Sequence, residues 1–302
     1  MKDSMKRFLT FALLFFILIL AAGDKVLIWE ASAPGLPGKA YLAGSIHSGK
    51  AEWYPLDAAY DRAFDAASVI YFEIYKPDMQ EATQKNLMHG IFRDGRTLSQ
   101  VLGMADFQQL CKFYAQFVPN VNPLRLERFR PWLLSVQISQ FYLLRHPEIR
   151  RVYGLESVFT KHIGDKTPRS LESIDSQLLS ISRISDAAAG RLLIKGVREF
   201  ADAGKDMQRI FRALETGEPA ALTLITDEMA FKHPEFHRAL FIDRNRNIAE
   251  KVYSMLKQKQ TVFVLVGAGH LAGKENILEL LRDRGCTTVQ LKRAGKPGRL
   301  KP

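Results

Sequence analysis

Two tetrapeptides of one pattern, Gly44-Ser45-Ile46-His47 and Gly267-Ala268-Gly269-His270, each end an apolar run, more than two hundred residues apart. A loop and then a helical pattern follow each, so the chain is restricted to folds that use such a unit twice. In the first unit, residues 26–29 and 40–43 predict a hairpin whose turn carries Pro34-Gly35 and Pro37-Gly38. Pro55 predicts the opening of a helix, and Leu56, Ala59, Tyr60, Ala63, Phe64 and Ala67 share one face of it. Residues 68–75, SVIYFEIY, predict a buried strand with Glu73 inside it. In the second unit, TVFVLVGAGH predicts a buried strand, and a helix is expected over 275–284 with Gly285 as its C-cap. CTTVQLK then returns as a strand. Strand–GxxH–helix–strand therefore occurs at residues 40–75 and 261–292, each near the length of a βαβ unit. The expected fold class is α/β: two pseudo-symmetric strand–GxxH–helix–strand halves forming a central sheet, with a helical middle region.

The middle supports that division. RPWLLSVQISQFYLL, SQLLSISRISDAAAGRLLIKGV and PEFHRALFIDRNRNIAEKVYSMLKQ all have helical apolar spacing. YGLESVFTKHIGDKTPRSLES reads as a short helix, a stop at Gly164 and a strand before Glu172. No low-complexity linker divides the chain, so residues 24–292 are expected to form one domain.

The ends differ in character. Lys2, Lys6 and Arg7 precede an apolar run over residues 8–22, and the small residues Ala21 and Gly23 stand before Asp24. This is the pattern of a secretory signal peptide over residues 1–23, which implies a periplasmic or secreted protein. The run is shorter than the roughly 20 residues of a membrane span. If uncleaved it would act as an anchor, the one membrane contact expected. Residues 293–302 read as a basic, flexible tail. Of the formal charge of +11, the leader contributes +2 and the tail with Lys292 contributes +5, leaving the body near +4. No basic stripe with interleaved aromatics occurs, so nucleic acid is not an expected partner. Cys111 and Cys286 do not make a disulfide framework, and their pairing stays open.

In a parallel α/β sheet, ligands bind beyond the carboxyl ends of the strands. His47 and His270 both stand just past such an end, and paired units would bring them to one site as two nitrogen ligands or an acid/base pair. The other five histidines lack that placement. Glu73 either points outward or needs a partner, because an unpaired buried carboxylate is costly. His47, Glu73 and His270 make a donor set for a divalent metal, with manganese, cobalt and zinc as candidates. Arg244 suits the clamping of a carboxylate or oxyanion, and Asn245 the donation of a hydrogen bond to an oxyanion.

On these residues the chain resembles the TraB/GumN family, which is related to the Wnt-inactivating Tiki proteases. AYLAGSIHSGKAEWYPLDAAYDRAFDAASVIYFEI is similar to that family's opening block, and GLESVFTKHIGDKTPRSLES to its middle block. DRNRNIAEKV with VFVLVGAGHLAGKENILELLRDRGCTTVQL is similar to the closing block, so the resemblance spans about residues 25–292. It implies a divalent-metal-dependent peptidase in which His47, Glu73 and His270 hold the metal and Arg244 and Asn245 assist. The expected partner is a peptide or small-molecule substrate. Wider relatives include erythromycin esterase and a haem-binding lipoprotein. A metal-free histidine pair, a haem or small-ligand binding protein, and a non-catalytic regulatory protein are therefore the alternatives.

Overall fold

The computed structural model describes residues 23–302. The leader read over residues 1–23 lies outside them apart from Gly23, and no helix among the described residues is long and apolar enough to cross a membrane. Six strands form one sheet: β1 (Lys25–Ser32), β2 (Lys39–Ser45), β3 (Val69–Phe72), β4 (Thr167–Ser170), β5 (Thr261–Gly267) and β6 (Thr287–Lys292). Their spatial order is β4-β3-β5-β2-β1-β6. β2, β3 and β4 run parallel to β5, whereas β1 is antiparallel to both β2 and β6.

Burial on both sides explains the apolar run of β5. Side chains of a strand alternate between faces. Val262, Val264 and Val266 enter one core, and Phe263 and Leu265 enter the other. Helices α1 (Ala58–Asp65) and α2 (Leu155–Lys161) cover the second face with Ala59, Tyr60, Ala63, Phe64, Val158 and Phe159. The chain then forms α3 (Ile174–Ser182) after β4. The first face is covered by α4 (Asp243–Leu256), through Ile248, Val252 and Leu256, and by α5 (Ile277–Arg282), through Ile277 and Leu281. Each fully buried Val, Leu, Ile or Phe contributes about 1.5–3 kcal/mol, so neither layer is dispensable. The helical middle region builds cores of its own, one around Phe113, Phe141 and Phe200 and one around Trp132, Ile184 and Phe236. Cys111 packs against the first of these and Cys286 lies in the sheet core; both are free thiols.

The two repeated units flank the midline of the sheet. From the adjacent pair β2 and β5 the chain departs in opposite directions, through α1 to β3 and through α5 to β6. The return strands take unequal places, because β1 fills beside β2 the position that β3 fills beside β5. The motifs are also one residue out of register, with Gly44 opposite Val266 and Ser45 opposite Gly267.

Three local expectations are corrected. The helix after the first motif begins at Ala58, not at Pro55. Leu56 exchanges backbone hydrogen bonds with Gly298 and Leu300, so Asp57 becomes the cap. β3 ends at Phe72, which places Glu73 just beyond the strand rather than inside it. The basic tail is docked rather than frayed: Leu300 is fully buried, and Asp57 accepts the amides of Ala59 (2.8 Å), Ala294 (2.9 Å) and Gly295 (3.2 Å). Asp57→Ala removes a cap and a tail anchor together. Urea unfolding is expected to show a loss of about 1–2 kcal/mol. A loss near zero would mean that neither the cap nor this anchor contributes to stability.

Candidate functional site

The chain leaves β2 and β5 toward opposite edges, so their carboxyl ends form a topological switch point, the place where open α/β sheets bind ligands. Both histidine motifs lie there. Glu73 follows β3 beside it, and the β3–β4 ladder continues one step as the Glu172 amide donates to the Glu73 carbonyl at 2.9 Å. Two carboxylates are thereby set side by side at the end of the sheet.

Arg244 joins them. A π-helical turn, Arg238–Ile242, runs into the first turn of α4, and the Leu240 carbonyl accepts from Arg244 Nη1 at 3.2 Å. Such π turns recur at functional sites because they re-aim the side chains that follow. Arg244 Nη2 donates to Glu73 Oε2 and to Glu172 Oε2, each at 2.5 Å, while Nε donates to Glu172 Oε1 at 2.9 Å. Gln177 of α3 donates Nε2 to both acids, at 3.3 Å and 3.0 Å. Glu73 Oε1 accepts the Gly267 amide at 2.6 Å. A Cβ at Gly267 would stand 3.2 Å from that oxygen, so the motif's glycine makes room for the acid. Burial disfavours the ionised Glu73, yet His270, Arg244 and the Gly267 amide hold its carboxyl down at about 2.

His270 is almost fully enclosed, with 4% of its side chain exposed. Its Nδ1 lies 2.6 Å from Asn245 Oδ1, and Asn245 Nδ2 donates to the Glu275 carbonyl at 2.9 Å. A carbonyl only accepts, so Asn245 presents its NH₂ to Glu275 and its oxygen to the imidazole. Neutral His270 therefore carries its proton on Nδ1. Glu275 reaches this position with φ +54°, the left-handed region that costs a non-glycine residue energy. Burial is the main cause that lowers His270 to about 4, against the charge of Glu73, so it is neutral at physiological pH. The opposite nitrogen, Nε2, faces Glu73 Oε1 at 3.6 Å, beyond hydrogen-bond length.

His47 is placed differently: 75% of its side chain is exposed. Its Nδ1 lies 3.1 Å from Glu156 Oε1, and Ser45 Oγ donates to the same oxygen at 2.6 Å. The bond to Glu156 is the main cause that raises the His47 pKa, and the charge of Glu73 adds to it. Glu73, Arg244, Asn245 and His270 thus form one contiguous network, and His47 stands apart on Glu156. Sequence reasoning missed Glu156, Glu172 and Gln177. Glu172, which follows a strand as Glu73 does, carried the one legible signal.

A divalent ion is implied by the resemblance, and the donor chemistry suits one. His270 Nε2 is uncommitted, and two carboxylates share one guanidinium, which leaves an acid in excess. The ligands are not closed around a point, however. Among the described residues no group of three or more His, Cys, Asp or Glu side chains is assembled that could hold a metal ion.

The model of the TraB/PrgY/gumN family matches residues 27–290. The chain belongs to the TraB/PrgY/gumN family. An uncharacterized protein of Treponema pallidum (strain Nichols) is 22% identical over 273 residues, which cover 85% of this chain and 80% of that one. No solved structure matches. The TraB/PrgY/gumN match takes in every residue of the network and both Gly-x-x-His motifs.

Proposed function

We propose that the chain is an exported, divalent-metal-dependent hydrolase, and specifically a peptidase, working in the crevice above β2 and β5. The observation that carries this reading is His270 at the switch point: buried, neutral, fixed through Nδ1 and open at Nε2 toward an anionic carboxylate. His47, just beyond the end of the neighbouring parallel strand β2, would be the second nitrogen donor, and His47, His270 and Glu73 would hold the ion. When bound, such an ion polarises a scissile carbonyl and acidifies a water. Asn245 fixes the imidazole tautomer. Arg244 and the Gly267 amide keep Glu73 ionised, so it can act either as a ligand or as the acceptor of a proton from water. The leader over residues 1–23 supports export.

Metal content of protein purified without chelator or metal-affinity tag, then reloaded with manganese, cobalt or zinc, tests this reading. About one ion per chain, with metal-dependent cleavage in a peptide library, is the expected result. No bound ion under any loading would sink it. Cleavage that persists without metal would transfer the base role to His270 Nε2.

A further inference from the structure

We infer that Glu156 is a positioning residue for His47, holding its imidazole through Nδ1 so that Nε2 is left bare, as Asn245 does for His270. The two histidines share this device though the motifs share little else. In one, an amide oxygen stands 2.6 Å from Nδ1; in the other, a carboxylate oxygen stands 3.1 Å from it. The backbone fixes the second contact. A Cβ at Gly154 would lie 2.2 Å from the His47 carbonyl oxygen, so only glycine lets the start of α2 press onto the motif. The Leu155 amide donates to the Ile46 carbonyl at 3.3 Å, and Gly49 and Arg150 exchange a pair of backbone hydrogen bonds (3.1 and 2.9 Å). Gly154-Leu155-Glu156 is in this way bolted to the segment that carries His47.

Fold stability accounts for little of the carboxylate: Glu156 lies in the first turn of α2, where the helix dipole gives an acid only a small gain. Gly154 caps α2, and no side chain of that helix supplies a cap bond. Glu156 Oε1 takes both contacts, from Ser45 and His47, while Oε2 is buried with no hydrogen-bond partner among the described residues. An enclosed carboxylate oxygen without a partner is a cost to the fold, and the contact that goes with it is the one to the imidazole. Ser45 keeps Oε1 turned toward the ring.

Nitrogen-15 spectra of histidine-labelled protein test the inference, with His47→Ala and His270→Ala assigning the signals. At a pH where His47 is neutral, its proton is expected on Nδ1. Glu156→Ala should move that proton toward Nε2, the tautomer free histidine favours. Glu156→Gln should retain it on Nδ1, and His270 should be unaffected by either change. Neutral His47 protonated on Nε2 in the parent chain would overturn the inference, and so would a tautomer that Glu156→Ala leaves unchanged. The parent spectrum decides even if the alanine variant does not fold. A second consequence rests on the proposed function: Glu156→Ala should weaken metal binding about 10–100-fold, the range for partners that orient ligands. A shifted tautomer in a protein that binds no metal would leave the positioning role standing and overturn the metal reading alone.

Discussion

Arg244→Met is expected to cost about 3–5 kcal/mol at neutral pH, the range for removing one partner of a buried ion pair. The cause is what stays behind: Glu73 and Glu172 remain enclosed, with Gln177 as the one side-chain donor they share among the described residues. At about 2–4 °C per kcal/mol for a chain of this size, the melting temperature should fall by roughly 10 °C. Lysine should recover little, because one ammonium group cannot span both acids as the guanidinium fork does. The loss must also depend on pH. Glu73 has a folded-state value depressed to about 2, so the stability it contributes is fully present above its unfolded value, about 4.3. That stability drains away as the pH falls toward 2. Without Arg244 much of it is already absent, so parent and variant should differ most at neutral pH and draw together between pH 4 and 2. Urea titrations at pH 7, 5 and 3 would show this. An equal loss at all three would mean that Arg244 acts through packing alone.

The second large effect is functional. His270→Ala and His47→Ala should each lower metal occupancy from about one ion per chain to near zero. The loss of affinity should exceed the roughly 100-fold known for removing groups that merely orient ligands. Both variants should stay folded. His47 is exposed, and loss of His270 leaves one buried acceptor, Asn245 Oδ1, unpaired at about 1–3 kcal/mol. Dialysis against each metal followed by elemental analysis reads the outcome. If one variant loses the ion and the other keeps it, the two motifs do not form one site.

What could be read from the chain alone followed from local chemistry. A seven-residue strand of Val, Phe and Leu ending in Gly-x-x-His declares a buried strand and the loop beyond it, and Glu73 stood out as an acid in apolar surroundings. Glu172 and Glu156 gave less away, because SLES reads only as a strand end and GLES as an ordinary helix start; their meaning lies in contacts with Arg244 and His47, far off in sequence. Hairpin patterning showed that β1 pairs with β2 but was silent on its other edge, where β6 lies. The tail misled for a related reason. Its Lys and Arg residues suggest solvent, whereas it is seated by Leu300, by a row of backbone amides on Asp57 and Asp61, and by Arg293 and Arg299, which bond to the Gly23 carbonyl and to Asp65.

The place of β5 also governs how the molecule is made. β5 lies between β3 and β2, yet it is encoded at residues 261–267, after nearly all the rest of the chain. Until those residues leave the ribosome, β2 and β3 have no strand to join them, and the cores on both faces lack their middle row. Pairings of such long sequence separation form slowly. The helical middle region, whose core around Phe113, Phe141 and Phe200 is complete by residue 211, has its parts earlier than the sheet does. Closure of the sheet and burial of His270, which follows β5 directly, both wait for that strand.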